Sequence, residues 1–248
     1  MATSDLRDKR DTAAAHTLIG VGIYSVGEAA RLLQVPSGKL RRWAEGYTFR
    51  RGQTRQSSPP VIAPEADWVC EAPVLTFLDL IELGFVAMFR QEGVSLAVIR
   101  AAADRGASLF HTNHPFAVHR FTTDGQTIFA VLKKPGERPK GISWSDLVQD
   151  LETSQYVFGK FAEPFFRKIK WGATKALQLW PLGMDKRVVL DPQRALGKPI
   201  DAPTGVPTSA LFRAIQSGES PAIVANWYEV PLEAVLQSVE YERSLLAA

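Results

Sequence analysis

"YSVGEAARLLQVPSGKLRRWAEGY", residues 24–47, decides how the first folded part of this chain is read. Ser25 and Glu28 have the S-x-x-E spacing of a capping box, which predicts a helix running to about Gln34. Val35-Pro36 breaks it, because proline has no amide proton and restricts the residue before it. Ser37 is placed to cap a second helix. Two short helices across so tight a turn make a helix-turn-helix outline. In the second helix Leu40, Trp43, Ala44 and Tyr47 fall at i, i+3, i+4 and i+7, one buried stripe. Lys39 and Arg42 then lie on the opposite face, with Arg41 at its edge. Gly46 and the following "TFRRGQTRQSSPP" predict a turn and a basic excursion of the kind a wing makes.

Working outward, the charge is local. The whole chain of 248 residues carries only +3. Yet residues 37–56 set Lys39, Arg41, Arg42, Arg50, Arg51 and Arg55 against Glu45 alone. Residues 207–248 reverse the balance, with Arg213 and Arg243 against Glu219, Glu229, Glu233, Glu240 and Glu242. A polyanion is attracted to the first region and repelled by the second. Two readings of the basic helix stay open: a DNA reader, or a solvated cationic face. The focus of charge favours the first.

After a Pro-rich connection, Thr76 and Asp79 repeat the capping box before "TFLDLIELGFVAMFRQEG". That helix is apolar on most sides and therefore belongs at the centre of a core. Gly93 is expected to end it. Ser95 caps "SLAVIRAAADRG", a helix expected to stop at Gly106. Beyond it the character changes: "VHRFTTDGQTIFAVL" alternates around Asp124-Gly125, a β-hairpin signal. "SWSDLVQDL" and "SQYVFGKFAEPFFRKIKW" look helical, with a break or turn at Pro164. "RVVLD" is a short strand. The last part has three helices. Thr208 caps the first and Gly218 ends it, Ser220-Pro221 opens the second, and Pro231 opens the third. In the third, Leu232, Val235, Leu236 and Val239 line one face.

Composition is that of a globular protein, 46% hydrophobic and 22% charged. The single cysteine, Cys70, excludes an internal disulfide framework and fits a reducing cytosol. No run of about 18 apolar residues appears, so no membrane span is expected. "MATSDLRDKRDTAAAHT" reads as a polar, flexible tail without the apolar core of a secretory signal. Phosphate loops, nucleophile elbows and paired cysteines are absent, which argues against an enzyme. His111, His114 and His119 have no carboxylate or thiol at ligand spacing beside them in sequence and read as loop residues, so no metal or cofactor is expected. Asp146, Asp150 and Glu152 read as a solvated helix face rather than a two-metal site. Arg167, Lys168 and Lys170 read as a basic helix end, the rival being a cation that blocks an acidic nuclease pocket. For Trp227 and Tyr228, core is favoured over interface.

The stretch from Tyr24 to Tyr47 resembles the first half of a MerR-type winged helix, whose second helix combines a serine cap with an arginine before an aromatic pair. Gly93, Val94, Ser95, Leu96, Ile99 and Arg100 match, in order, a string of the later helices of that domain. The resemblance implies a phosphate contact for Arg41 and places Arg50, Arg51 and Arg55 in the wing. The candidate DNA-contacting residues are therefore Ser37, Lys39, Arg41, Arg42, Tyr47, Arg50, Arg51 and Arg55. The chain departs from MerR regulators after residue 106, where no dimerising heptad series follows. "GKPIDAPTGVPTSALFRAIQSGESPAIVANWYEVPLEAVLQSVEYE" resembles the domain-of-unknown-function 433 family. Gly197, Lys198, Pro199, Pro207, Thr208, Gly218, Ser220 and Pro221 carry the likeness. Long members with a MerR-like N-terminus are VapB-like antitoxins paired with PIN-type ribonuclease toxins.

These resemblances imply a mainly α, α+β chain. Its parts would be a tail over 1–20, a MerR-like winged helix-turn-helix over 21–106, a middle α+β unit with a β-hairpin over 107–186, and a three-helix homeodomain-like bundle over 187–248. They imply a cytoplasmic, non-enzymatic, homodimeric antitoxin that represses its own operon on operator DNA and sequesters a PIN-type ribonuclease toxin. The alternative is a MerR-like regulator with an unidentified ligand or partner.

Overall fold

In the computed structural model, residues 20–62, 64, 74–119, 121 and 163–246 are described. The hairpin expected at Asp124-Gly125, the carboxylates Asp146, Asp150 and Glu152, and Cys70 lie outside them. The described chain mixes helix and sheet and divides into two compact units. One runs from Ser25 to Leu177; the other is built from Gln178–Ala247 together with the segment that ends at Tyr24.

The first unit opens at Ser25, the second residue of strand β1 (Tyr24–Ser25), and continues into helix α1 (Val26–Leu32). The capping box forms as the sequence predicts: the Glu28 amide donates to Ser25 Oγ at 3.1 Å, and the Ser25 amide donates to Glu28 Oε2 at 2.9 Å. Gln34 takes a left-handed conformation, φ 54°, and the Val35 amide returns to Ala30 O at 2.9 Å, closing the turn. Helix α2 (Ser37–Glu45) follows. Its cap differs from expectation, since Pro36 is the N-cap and Ser37 is already helical and makes no side-chain cap bond. The fixed φ of Pro36 sets up the first turn, and its carbonyl accepts from the Lys39 and Leu40 amides. Gly46, at φ 75°, then turns the chain into strand β2 (Tyr47–Arg51), which pairs antiparallel with β3 (Thr54–Ser58). A Cβ at Gly46 would meet Ser58 O at 2.7 Å, so glycine is required where the hairpin leaves the helix.

After the short strand β4 (Val74–Leu75), helix α3 (Phe77–Gln91) is buried over most of its surface, with Thr76 and Asp79 in a second capping box. Phe85 gathers Phe116, Phe121, Phe165 and Phe166 around itself at 4.9–6.3 Å between ring centres. Gly84 makes room for this, because a Cβ there would sit 2.7 Å from Phe165 Cζ. Helix α4 (Leu96–Phe110) is capped by Ser95 but does not stop at Gly106. It runs one further turn to His111, whose left-handed backbone closes it. Gly106 is buried, and packing outweighs the roughly 1 kcal/mol that an interior glycine costs. The expected helix through "FFRKIKW" is also corrected. A single turn, α5 (Glu163–Phe166), gives way to strand β5 (Ile169–Trp171). Pro164 stands in the first turn, where its missing N–H costs no helix bond, and Ile169 and Trp171 beyond it favour extended backbone.

Strand β6 (Ala176–Leu179) leads into the second unit, where Leu179 pairs with Leu190 of β7 (Val188–Leu190), and β7 pairs antiparallel with β8 (Pro199–Asp201). Arg187 grips Asp201 with two bonds of 2.7 and 3.0 Å, and Asp201 Oδ2 also accepts from Thr204. Tyr24 Oη donates to Gly197 O at 2.8 Å across a buried contact. Three helices complete the unit: α6 (Thr208–Gln216), α7 (Pro221–Trp227) and α8 (Leu232–Leu246). Leu211, Phe212, Val224, Ala225, Val230, Ala234, Val235 and Val239 form their core.

Three expectations for this unit are corrected. Thr208 is the first helical residue rather than the cap, and its buried hydroxyl donates to Glu242 Oε1 at 2.6 Å. Leu232 and Leu236 are exposed, whereas Ala234, Ser238 and Leu245 join Val235 and Val239 inside. Trp227, 59% exposed, and Tyr228 are at the surface rather than in the core.

Candidate nucleic-acid interface

Helix α2 sorts its residues by face. Leu40, Trp43 and Ala44 are buried, while Ser37, Lys39, Arg41 and Arg42 are exposed. Tyr47, predicted for the buried stripe, stands outside the helix at the start of β2 and is half-buried. Its ring packs against Phe49 and lies 5.7 Å from the Arg42 guanidinium, a cation–π distance. Arg41 stands 3.7 Å from Glu45 one turn on, an exposed pair of small energetic weight. Phosphate can therefore compete for Arg41 at little cost.

The hairpin carries an unusual pair. Arg50 and Arg55 are directly opposite in the antiparallel register, so their side chains share a face. Both are exposed, and Arg55 Nη2 donates to Thr48 Oγ1 at 3.3 Å. Like charges placed across a strand pair cost a few tenths of a kcal/mol or more, a cost that a bound anion reverses. Arg51 ends the strand, with its side chain outside the described residues.

Two cations went unassigned in the reading from sequence. Arg100 of α4 reaches back to the far end of the hairpin, donating to Ser58 Oγ and Pro59 O at 2.7 Å and to Pro60 O at 3.1 Å. Burial lowers its pKa without neutralising it. Arg100 thus holds the hairpin in place and is a positioning residue. Its match to the family string was the one available signal, because its partners lie 40 to 42 positions upstream. Arg90, at the end of α3, lines a concavity of about 320 Å³ with Lys39 and Arg42, over a floor of Trp43 and Tyr47. This brings a third cation from a separate helix to the foot of α2.

Of the histidines, His111 and His119 are exposed, and His114 is buried. The fold supplies what the local sequence lacked, since Asp79 and Glu82 carboxylate oxygens both stand 3.7 Å from His114 Nδ1. Glu82 also accepts from the Phe116 amide at 2.9 Å. Burial pushes the Glu82 carboxyl above its usual range, with His114 and the Phe116 amide acting in the opposite direction. Among the described residues no group of three His, Cys, Asp or Glu side chains converges as a metal ion would need. Arg167 and Lys168, just before β5, and Lys170 within it are exposed. Among the described residues no helix is long and apolar enough to cross a membrane.

Residues 22–103 match the sequence model of the family HTH_66, described as "Putative DNA-binding HTH domain". A relative from Mycobacterium tuberculosis (strain ATCC 25618 / H37Rv), the "Putative antitoxin VapB45", is 27% identical over 215 residues, which is 85% of this chain and 89% of the relative. The crystal structure of Rv2018 from Mycobacterium tuberculosis aligns with a TM-score of 0.66 at 24% identity, covering 89% of this chain and 99% of that one. At that identity the likeness is one of fold.

Proposed function

We propose that this chain is an antitoxin that binds a PIN-type ribonuclease toxin directly and represses its own operon by binding operator DNA. The DNA half rests on one observation above all: the Arg50–Arg55 pair, two exposed cations opposed on a hairpin beside a cationic helix. In this reading α2 enters the major groove in the manner of a MerR-type winged helix, with Lys39 and Arg42 toward base edges and Arg41 on a phosphate. Ser37 and Tyr47 border that contact, and the hairpin wing holds the backbone through Arg50, Arg51 and Arg55. The toxin half is supported by the relative's name and by the resemblance of the C-terminal helices to the domain-of-unknown-function 433 family. A homodimer matches a two-fold operator with half-sites about one helical turn apart. Nothing in this function calls for catalysis by the chain itself, and its setting is the cytoplasm, at the nucleoid when DNA is bound.

Co-expression with a PIN-type ribonuclease, taken from the same operon if one is encoded there, tests the proposal. The expected result is a stable complex and rescue of growth, with a gel shift on DNA from the operon's own promoter. Failure to bind that toxin removes the first half, and failure to shift promoter DNA removes the second. The alternative, a ligand-responsive regulator, is favoured by a cavity of about 370 Å³ beside His114, lined also by Phe110, His111, Thr112 and Lys175. It predicts DNA binding that changes with a small molecule and is indifferent to the toxin.

A further inference from the structure

Among the large apolar side chains that the second unit leaves exposed, five lie from Ile223 to Leu236, on or between its last two helices. Ile223 and Trp227 are four residues apart on α7, and Leu232 and Leu236 are four residues apart on α8. Tyr228 lies in the turn that joins the two helices, and all five are exposed, Leu236 to 50%. Side chains at i and i+4 share a helix face, so each helix presents a pair. An exposed apolar grouping that includes Trp and Tyr is the composition of an energetic centre of a protein interface. The helices do not need these residues for their own core, which closes with Val224, Ala225, Ala234, Val235 and Val239.

The rim tells what the partner must carry. Glu229 in the turn and Glu233 and Glu240 on α8 are exposed around the apolar residues, with Arg243 as the one cation on the same stripe of α8. Glu233 is held by Gln237, which donates to it at 2.8 Å. Such a face repels nucleic acid. It also disfavours a second copy of itself. A two-fold pairing of α8 about Leu236 sets Glu233 of each copy beside Glu240 of the other, and like charges meet. The face calls for an apolar patch inside a cationic rim. A ribonuclease presents that charge by necessity, because its substrate is a polyanion and its RNA path must be lined with Lys and Arg.

Resting on the antitoxin reading above, we propose that the exposed α7–α8 face is the toxin-docking surface, and that its glutamates occupy the cations with which the toxin holds RNA. Trp227 and Leu236 anchor the contact in apolar pockets. Glu229, Glu233 and Glu240 steer the encounter and stand in for substrate phosphates. Inhibition then comes from occlusion of the RNA path and needs no residue inserted into the nuclease's metal pocket.

The test uses the full-length chain and the PIN-type ribonuclease with which it is co-expressed above. Trp227→Ala and Leu236→Ala should each weaken the complex at least about tenfold in calorimetry, with Tm nearly unchanged because both side chains are exposed. Glu233→Lys with Glu240→Lys should slow association, with an effect that shrinks as salt rises. A non-cleavable 2′-O-methyl RNA should compete with the wild-type chain for the toxin. Wild-type affinity in the Trp227 and Leu236 variants overturns the surface while leaving the antitoxin reading standing. Simultaneous binding of RNA and chain overturns the occlusion. If Trp227→Ala instead converts a dimer of this chain to monomer, with toxin binding intact, the face belongs to a second copy and the proposal falls. A wild-type chain that does not bind the toxin at all removes the antitoxin reading, and this proposal with it.

Discussion

Replacing Arg100 with alanine separates the positioning of the hairpin from the charge of helix α2. The guanidinium makes three hydrogen bonds to Ser58, Pro59 and Pro60, where the hairpin returns to the body of the first unit. A hydrogen bond to a charged group contributes about 1.5–3 kcal/mol at best. This one is half-exposed, so water replaces much of it on removal, and about 1–2 kcal/mol in total is the expected loss. That corresponds to a fall in Tm of about 3–6 °C for a chain of this size. The larger effect is on DNA. Arg50 and Arg55 remain but are no longer held in one place, so affinity for promoter DNA should fall about tenfold at 0.1 M salt. Amide exchange across Thr48–Ser57 should speed up, while that of α2 stays as in the wild type. Arg100→Lys keeps the charge but cannot fork to three acceptors, so it should resemble the alanine variant. Wild-type DNA affinity and unchanged hairpin exchange in Arg100→Ala would refute the positioning role. A lysine variant that behaves like wild type would reduce the role to charge alone.

Removing the opposed cations, Arg50→Ala with Arg55→Ala, should leave thermal stability equal or slightly higher, by about 0.2–1 kcal/mol, while DNA affinity drops. The slope of log affinity against log salt should also fall by about one for each cation lost. Arg41→Ala with Arg42→Ala should likewise flatten the salt dependence, and unchanged binding in a filter or gel assay would exclude α2 from the contact. A full-length chain lacking Arg41, Arg42, Arg50 and Arg55 should retain no DNA at physiological salt, because the glutamate-bearing C-terminal helices offer no second site. Raised by burial, the Glu82 carboxyl keeps its proton in the folded state at pH values where the unfolded chain has lost it. The folded state therefore binds more protons above pH 4.5, and stability contributed by this group declines as pH rises from there through its folded pKa. Glu82→Gln keeps an acceptor for the Phe116 amide and removes the titration, so urea unfolding across that range should give a flatter profile and a gain at neutral pH. A wild-type decline that persists in the variant assigns it to another group.

What the sequence made legible was local. The boxes at Ser25–Glu28 and Thr76–Asp79, and the caps at Ser95 and Ser220, need only residues three or so apart, and all four formed. The face of α2 was legible for the same reason, since Leu40, Trp43 and Ala44 state the periodicity within two turns. The buried face of α8 was not. Its apolar stripe suggested Leu232 and Leu236 as core, but the helix is rotated so that Ser238 and Glu242 go inside. The buried Glu242 accepts from Thr208, 34 positions upstream, and no local pattern reveals such a partner. The environment of His114 was hidden in the same way, its two carboxylates arriving from another helix. Arg100 was legible as part of a motif, but its task depends on where the hairpin ends.

The bond from Tyr24 to Gly197 bears on how this protein is made. Its two partners are separated by 173 positions, so on the ribosome Tyr24 emerges long before its acceptor exists. At about 5–20 residues per second the interval is on the order of 10–35 s. During that time the leading segment has nothing to close upon, and a chain released early, from a broken message or by a stalled ribosome, never completes its later unit. Such a fragment would present an unfinished core to cellular proteases, so the supply of intact protein is tied to uninterrupted translation past Gly197 and through the last helix.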